Sequence, residues 1–82
     1  LGNRPGKPAP DPYLIASEKL QVTPESCFVL EDAVVGVQSA KAAGMRTCAV
    51  NTDIPRAAYP DSDLYVASYA DPKIIAAITE TV

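Results

Sequence analysis

The sequence predicts an α/β protein, a Rossmann-like parallel sheet with flanking helices, and three observations support that class. Three short runs, Cys27–Leu30, Thr47–Val50 and Leu64–Ala67, are apolar throughout, as strands buried on both faces are. Segments of helical periodicity alternate with these runs. Helix starts and stops punctuate the alternation at Asp11-Pro12, Gly44 and Asp71-Pro72. The resulting order is helix, strand, helix, strand, strand, helix.

The chain opens on Pro5, Pro8, Pro10 and Pro12. Their rings fix φ and lack an amide hydrogen, which excludes a helix or central strand and leaves an extended loop. Asp11 is expected to cap the first helix, with Pro12 at its first position and Leu14, Ile15 and Leu20 on one apolar face. Thr23-Pro24-Glu25-Ser26 is turn chemistry, after which Cys27–Leu30 runs into two carboxylates, Glu31 and Asp32. Val34 to Ala43 forms a second helix, closed by Gly44 where a left-handed residue is needed. After the two later strands, Asp71 and Pro72 open an amphipathic helix through Ile74, Ile75 and Ile78. No internal repeat or low-complexity tract occurs.

Eighty-two residues hold one small domain or part of a larger one. The 48% hydrophobic content is globular, but aromatics are scarce and so short a chain makes a marginal core by itself. Seven basic against ten acidic residues, dispersed along the chain, give a charge of −3 and no footprint for nucleic acid. No run approaches the ~20 apolar residues of a membrane span and no signal-peptide pattern is present, so the expectation is a cytoplasmic protein without a membrane partner. Cys27 and Cys48 lie far apart and read as two buried, reduced thiols. The absence of histidine removes the commonest general base and every Ser-His or Cys-His dyad, leaving chemistry to carboxylates and lysine.

Glu31 and Asp32 fall at the carboxyl end of a strand, where open parallel sheets bind ligands. Taken alone, acids in that place are better read as partners of a helix dipole than as metal ligands. The upstream loop Gly6-Lys7-Pro8-Ala9-Pro10-Asp11 holds one lysine on a proline-fixed backbone. Magnesium favours hard oxygen ligands and a substrate phosphate, and a nearby ammonium balances that phosphate's charge. Lys7 with Glu31 and Asp32 therefore points to phosphoryl chemistry around one dianion. Asn51, Thr52 and Asp53 read as a polar exit loop that could border the same cleft. Lys41 and Lys73 read as exposed helix residues, Arg4, Arg46 and Arg56 have no motif context, and Asp61-Ser62-Asp63 reads as a solvated turn.

Three segments in order, Gly6 to Asp11, Val29 to Val37 and Ala40 to Met45, resemble the later motifs of haloacid dehalogenase (HAD) superfamily hydrolases. The similarity is greatest to the β-phosphoglucomutase and sugar-phosphate phosphatase branch and covers Gly6 to Thr52 well. The resemblance implies that Lys7 is the catalytic lysine stabilising the phosphoryl group and the nucleophile's charge. It implies further that Asp32 is a Mg2+ ligand and that Glu31 supports the metal directly or through water. Ala33 stands where many relatives carry serine. Residues 1–82 would be the C-terminal portion of a HAD-like core domain, an incomplete half lacking the cap and the N-terminal first strand.

That family attacks a phosphate with the aspartate of an Asp-x-Asp motif ending its first strand, forming an aspartyl-phosphate. Asp61-Ser62-Asp63 precedes an apolar run instead of following one, so the nucleophile is expected outside this chain, together with the second-motif serine or threonine. The 82 residues alone are then expected to be inactive, and the implied substrate is a small phosphorylated metabolite such as a sugar phosphate. Two non-catalytic alternatives remain open at this point. A receiver-like binding module would need a separate phosphorylatable aspartate ending a later strand. A structural fragment would leave an unpaired edge beside Cys27–Leu30, a route to self-association.

Overall fold

The computed structural model describes residues 4–81. Strands β1 (Phe28–Glu31), β2 (Arg46–Val50) and β3 (Leu64–Val66) form one parallel sheet in the order β1-β2-β3. Helices α1 (Asp11–Leu20), α2 (Val34–Ala42) and α3 (Pro72–Thr81) surround it, with 3-10 turns at Pro24–Ser26 and Arg56–Ala58. The predicted element order holds throughout. In β1 the apolar run begins one residue early: the Cys27 carbonyl accepts the Arg46 amide at 3.2 Å, and Glu31 becomes the last strand residue.

Alternation along β2 separates two cores. Cys48 and Val50 pack with Val66 and with Ile74 of α3, while Ala49 packs on the other face with Val37 of α2 and with Tyr59. A strand covered on both sides needs no polar face, which is why β2 reads as a continuous apolar run, whereas the edge strand β1 leaves Leu30 exposed. Cys48 is fully buried and Cys27 half-buried, and both are free thiols, so only Cys48 matches the expectation of a buried pair.

Helix ends follow backbone demands. Gly44 closes α2 at φ +84°, its amide donating to the Lys41 carbonyl at 3.0 Å and the Met45 amide to Ala40 at 3.1 Å. The same double hydrogen bond closes α1 on Gln21 at φ 59°, where a side chain makes the left-handed conformation costly. Asp11 does not cap α1. The Pro10 carbonyl already receives the Tyr13 and Leu14 amides, so Asp11 becomes the first helical residue and accepts Arg4 Nε at 2.9 Å. At α3 the expected cap is present, Asp71 Oδ1 accepting the Lys73 amide at 2.9 Å.

Asp61-Ser62-Asp63 is more than a solvated turn. Ser62 is 6% exposed, accepts the Ala49 amide at 3.1 Å and donates to the Leu64 carbonyl at 2.7 Å. Asp63 Oδ2 accepts the Thr47 amide at 2.8 Å and Lys41 Nζ at 2.9 Å, so Lys41 is also an ion-pair partner. Buried backbone amides need acceptors, and with β3 only three residues long this segment supplies them to the margin of β2. Burial nudges the Asp63 carboxyl upward, but Lys41, the Thr47 amide and Arg46 outweigh it and hold the group below its ordinary range. No helix among the described residues is long and apolar enough to cross a membrane.

Gly44→Ala should cost about 1 kcal/mol or more, whereas Gln21→Gly should stabilise by a few tenths to about 1 kcal/mol, as read from urea unfolding. A carboxyl with a depressed native pKa stabilises the fold above its unfolded value, about 3.9 for aspartate, and that contribution is lost as pH falls through the native value. Asp63→Asn should therefore lower the urea midpoint at neutral pH and shrink its decline below about pH 4. An equally steep acid decline in the variant would remove Asp63 as a source.

Candidate functional site

The carboxyl ends of the three strands open into a cleft of about 580 Å³, lined by Asp32 after β1, Asn51, Thr52 and Asp53 after β2, and Ser68 and Tyr69 after β3. Beside it, the proline-rich loop is pinned to the fold. Ser39 of α2, fully buried, donates to the Ala9 carbonyl at 2.5 Å, and the Ala9 amide turns back onto the Gly6 carbonyl at 3.0 Å. The Lys7–Pro8 peptide is cis.

So anchored, the loop brings Lys7 Nζ to 3.0 Å from Glu31 Oε2. The Tyr13 hydroxyl donates to the same oxygen at 2.5 Å, and the Ala33 amide donates to Oε1 at 3.3 Å. The Glu31 side chain is only 11% exposed. Its burial alone would push the carboxyl upward, but Tyr13, Lys7 and the Ala33 amide overcome this and keep it below its ordinary range, hence ionised. Burial first, and then the Glu31 hydrogen bond and charge, push the Tyr13 phenol well up, so that hydroxyl stays a donor.

Room for this carboxylate comes from Gly36 in the first turn of α2. A Cβ there would overlap the Glu31 side chain, so a close approach requires glycine at that position.

Asp32 faces elsewhere. Its backbone carbonyl accepts the Tyr59 hydroxyl at 2.5 Å and Asn51 Nδ2 at 3.2 Å. Its carboxylate, exposed at the cleft, has no hydrogen bond or ion pair among the described residues. Asn51 Oδ1 in turn accepts the Asp53 and Ile54 amides at 2.7 and 2.9 Å. The segment after β2 is therefore both a polar exit loop and a wall of the cleft.

Of the three site residues expected from sequence, Lys7 and Glu31 meet directly, and Asp32 lies next in the chain but turns to the cleft. No group of three or more His, Cys, Asp or Glu among the described residues forms a metal-binding cluster. With the Glu31 oxygens occupied by donors, the donor set that fits a hard cation here is the open carboxylate of Asp32, and magnesium commonly takes one or two protein carboxylates. Sequence reasoning missed Tyr13, Ser39 and Tyr59. Ser39 left a legible signal, a lone small hydroxyl between Val37 and Ala40 on the buried face of α2.

A sequence model of the family described as haloacid dehalogenase-like hydrolase matches residues 3–50, more than half of the chain. The chain belongs to that family. It is 49% identical over 53 residues to hexitol phosphatase A of Escherichia coli (strain K12), covering 62% of this chain and 24% of that protein. A solved structure from Bacteroides vulgatus, described as a β-phosphoglucomutase, superposes with a TM-score of 0.83 at 33% identity, over 95% of this chain and 34% of that one. CbbY from Rhodobacter sphaeroides, solved with xylulose-(1,5)-bisphosphate, gives a TM-score of 0.76 at 32% identity, over 85% of this chain and 32% of that one. The chain thus sits with the β-phosphoglucomutase-like and CbbY-like HAD proteins, and its architecture is their Rossmann-like one. It spans between 5% and 32% of the length of the first curated relatives it matches.

Gly36→Ala should displace Glu31 from Lys7 and destabilise the protein by about 1–3 kcal/mol despite alanine's better helix propensity. The same substitution should cost markedly less in an Glu31→Ala background, where the space is free, as measured by thermal unfolding of the four proteins in the cycle.

Proposed function

We propose that this chain supplies the phosphate- and cation-handling end of a magnesium-dependent phosphatase or phosphomutase acting on a small phosphorylated metabolite, most simply a sugar phosphate. The carrying observation is the pairing of Lys7 with Glu31 beside the open Asp32 carboxylate, at the carboxyl ends of a parallel sheet. Relatives named as a hexitol phosphatase and as CbbY with a bound sugar bisphosphate support the substrate class. Residues 1–82 are proposed to form the C-terminal portion of the core domain, with the cap and first strand contributed from outside them. The open edge of β1 is the place where that strand, or another chain, would pair.

In this proposal each described residue has a separate task. Asp32 offers the hard oxygen ligand, and its backbone is held by the Tyr59 and Asn51 hydrogen bonds to its carbonyl. Lys7, 39% exposed at its side chain, can turn to a phosphoryl oxygen and offset charge that grows during transfer. Glu31 holds Lys7 in reserve when no phosphate is present. Bound Mg2+ would supply charge neutralisation and orientation of the phosphate. A carboxylate nucleophile from outside these residues would form the aspartyl-phosphate, since the sole Asp-x-Asp of the chain clamps the opposite end of the sheet.

The test uses the protein in its full-length context with Mg2+ and a panel of sugar phosphates. Lys7→Ala and Asp32→Asn should each lower kcat/KM by about a hundredfold or more while retaining the folded state by circular dichroism. Rates equal to wild type in both would exclude these residues from the reaction.

A further inference from the structure

Glu31 Oε2 receives two donors at once, Lys7 Nζ at 3.0 Å and the Tyr13 hydroxyl at 2.5 Å. A carboxylate oxygen has lone pairs for both. The remaining donor, the Ala33 amide, reaches the other oxygen at the longer distance of 3.3 Å. With 11% of its side chain exposed, Glu31 has little water to replace a lost partner, whereas Lys7 is 39% exposed and carries three protons on a flexible stem. The ammonium also stands 5.3 Å from the centroid of the Tyr13 ring, within reach of a cation–π contact. One aromatic side chain thus touches both members of the ion pair.

A lysine that turns toward a phosphate loosens its bond to the carboxylate that holds it. Breaking a buried ion pair by withdrawing one partner is costly because the other charge is left unsatisfied. Here the Tyr13 hydroxyl sits on α1 and not on the loop that carries Lys7, so its short, charge-assisted bond to Oε2 does not depend on where the ammonium points. We infer that Tyr13 is a positioning residue for Lys7, keeping Glu31 satisfied while the ammonium passes over its ring from the carboxylate to an incoming phosphate. No covalent bond changes and no proton is transferred; the hydroxyl remains a donor to Glu31 in both arrangements. This deepens the proposed phosphate-handling role of Lys7 and rests on it. Phenylalanine at this position would preserve the ring contact but leave Glu31 dependent on Lys7 and one long amide bond, so Lys7 would stay where it is.

The experiment titrates the full-length protein, with Mg2+ present, with inorganic phosphate and follows amide chemical shifts. It compares wild type, Tyr13→Phe, Lys7→Ala, Glu31→Gln and the Tyr13→Phe/Glu31→Gln pair. Tyr13→Phe should raise the phosphate Kd about tenfold, with a parallel rise in KM for a sugar phosphate, beside a modest fall in the urea midpoint from the lost hydrogen bond. In the Glu31→Gln background the same change should have little effect, because a neutral amide does not retain the ammonium. If Tyr13→Phe lowers the urea midpoint but binds phosphate as wild type does, while Lys7→Ala binds weakly, Tyr13 is only structural and the inference is overturned with the Lys7 assignment intact. If Lys7→Ala also binds phosphate as wild type does, the phosphate-handling role itself is lost and the inference goes with it.

Discussion

An ionised carboxylate that is nine-tenths out of water must be satisfied by the protein, and the need to satisfy Glu31 organises the loop, α1 and the start of α2 around it. The loop contributes Lys7, α1 contributes Tyr13, and the residue before α2 contributes the Ala33 amide. Gly36 contributes only the absence of a Cβ, and without it the helix could not sit so close. These four positions fall in two separate stretches of the sequence, and one charged group makes them interdependent. Ser39 secures the arrangement from behind by tying the loop backbone to α2.

The two ends of the sheet are differently equipped. At the carboxyl ends, strands stop in polar segments whose side chains border open space, as a parallel sheet with crossover helices dictates. On the opposite side, Ser62 and Asp63 accept backbone amides of β2 and Asp63 pairs with Lys41, leaving a satisfied margin. Comparable residue types therefore do different work. Asp63 is consumed by structure, whereas the Asp32 carboxylate is left open and only its backbone is tied down.

Much of this was legible in the sequence because it follows from local rules. Apolar runs marked the strands, Gly44 marked the end of α2, and Asp71-Pro72 marked the start of α3. That Lys7 comes to Glu31 was also legible, from the proline-fixed loop and the ordered motifs, but not that Asp32 turns away from it. Asp11 was misjudged as a cap because a Pro-Asp-Pro segment permits the helix to begin on either side of the aspartate, and the Arg4 ion pair favours the earlier start. The Asp61-Ser62-Asp63 segment was misjudged because its partners, Thr47, Ala49 and Lys41, are supplied by strand packing and not by neighbours in the chain. Tyr13 and Tyr59 were invisible for the same reason: a tyrosine in an amphipathic segment reads as core until the acceptor of its hydroxyl is known.

Adjacency in sequence also concealed a division between the two acids. Successive residues leaving a strand point to opposite sides, so a doublet such as Glu31-Asp32 cannot present both carboxylates to one place without a turn between them. Here Glu31 goes inward to Tyr13 and Gly36, and Asp32 goes to the cleft. A pair of acids at a strand end is thus two half-sites back to back, one able to store a cationic side chain and the other able to meet a cation from solution. The short backbone between them is what couples the two: the carbonyl of Asp32 is gripped by Tyr59 and Asn51 from β2's side, while Glu31 is gripped from the loop's side. Any movement of the chain at this point must strain one grip or the other, which holds the backbone at the end of β1 in place while the two side chains face different partners.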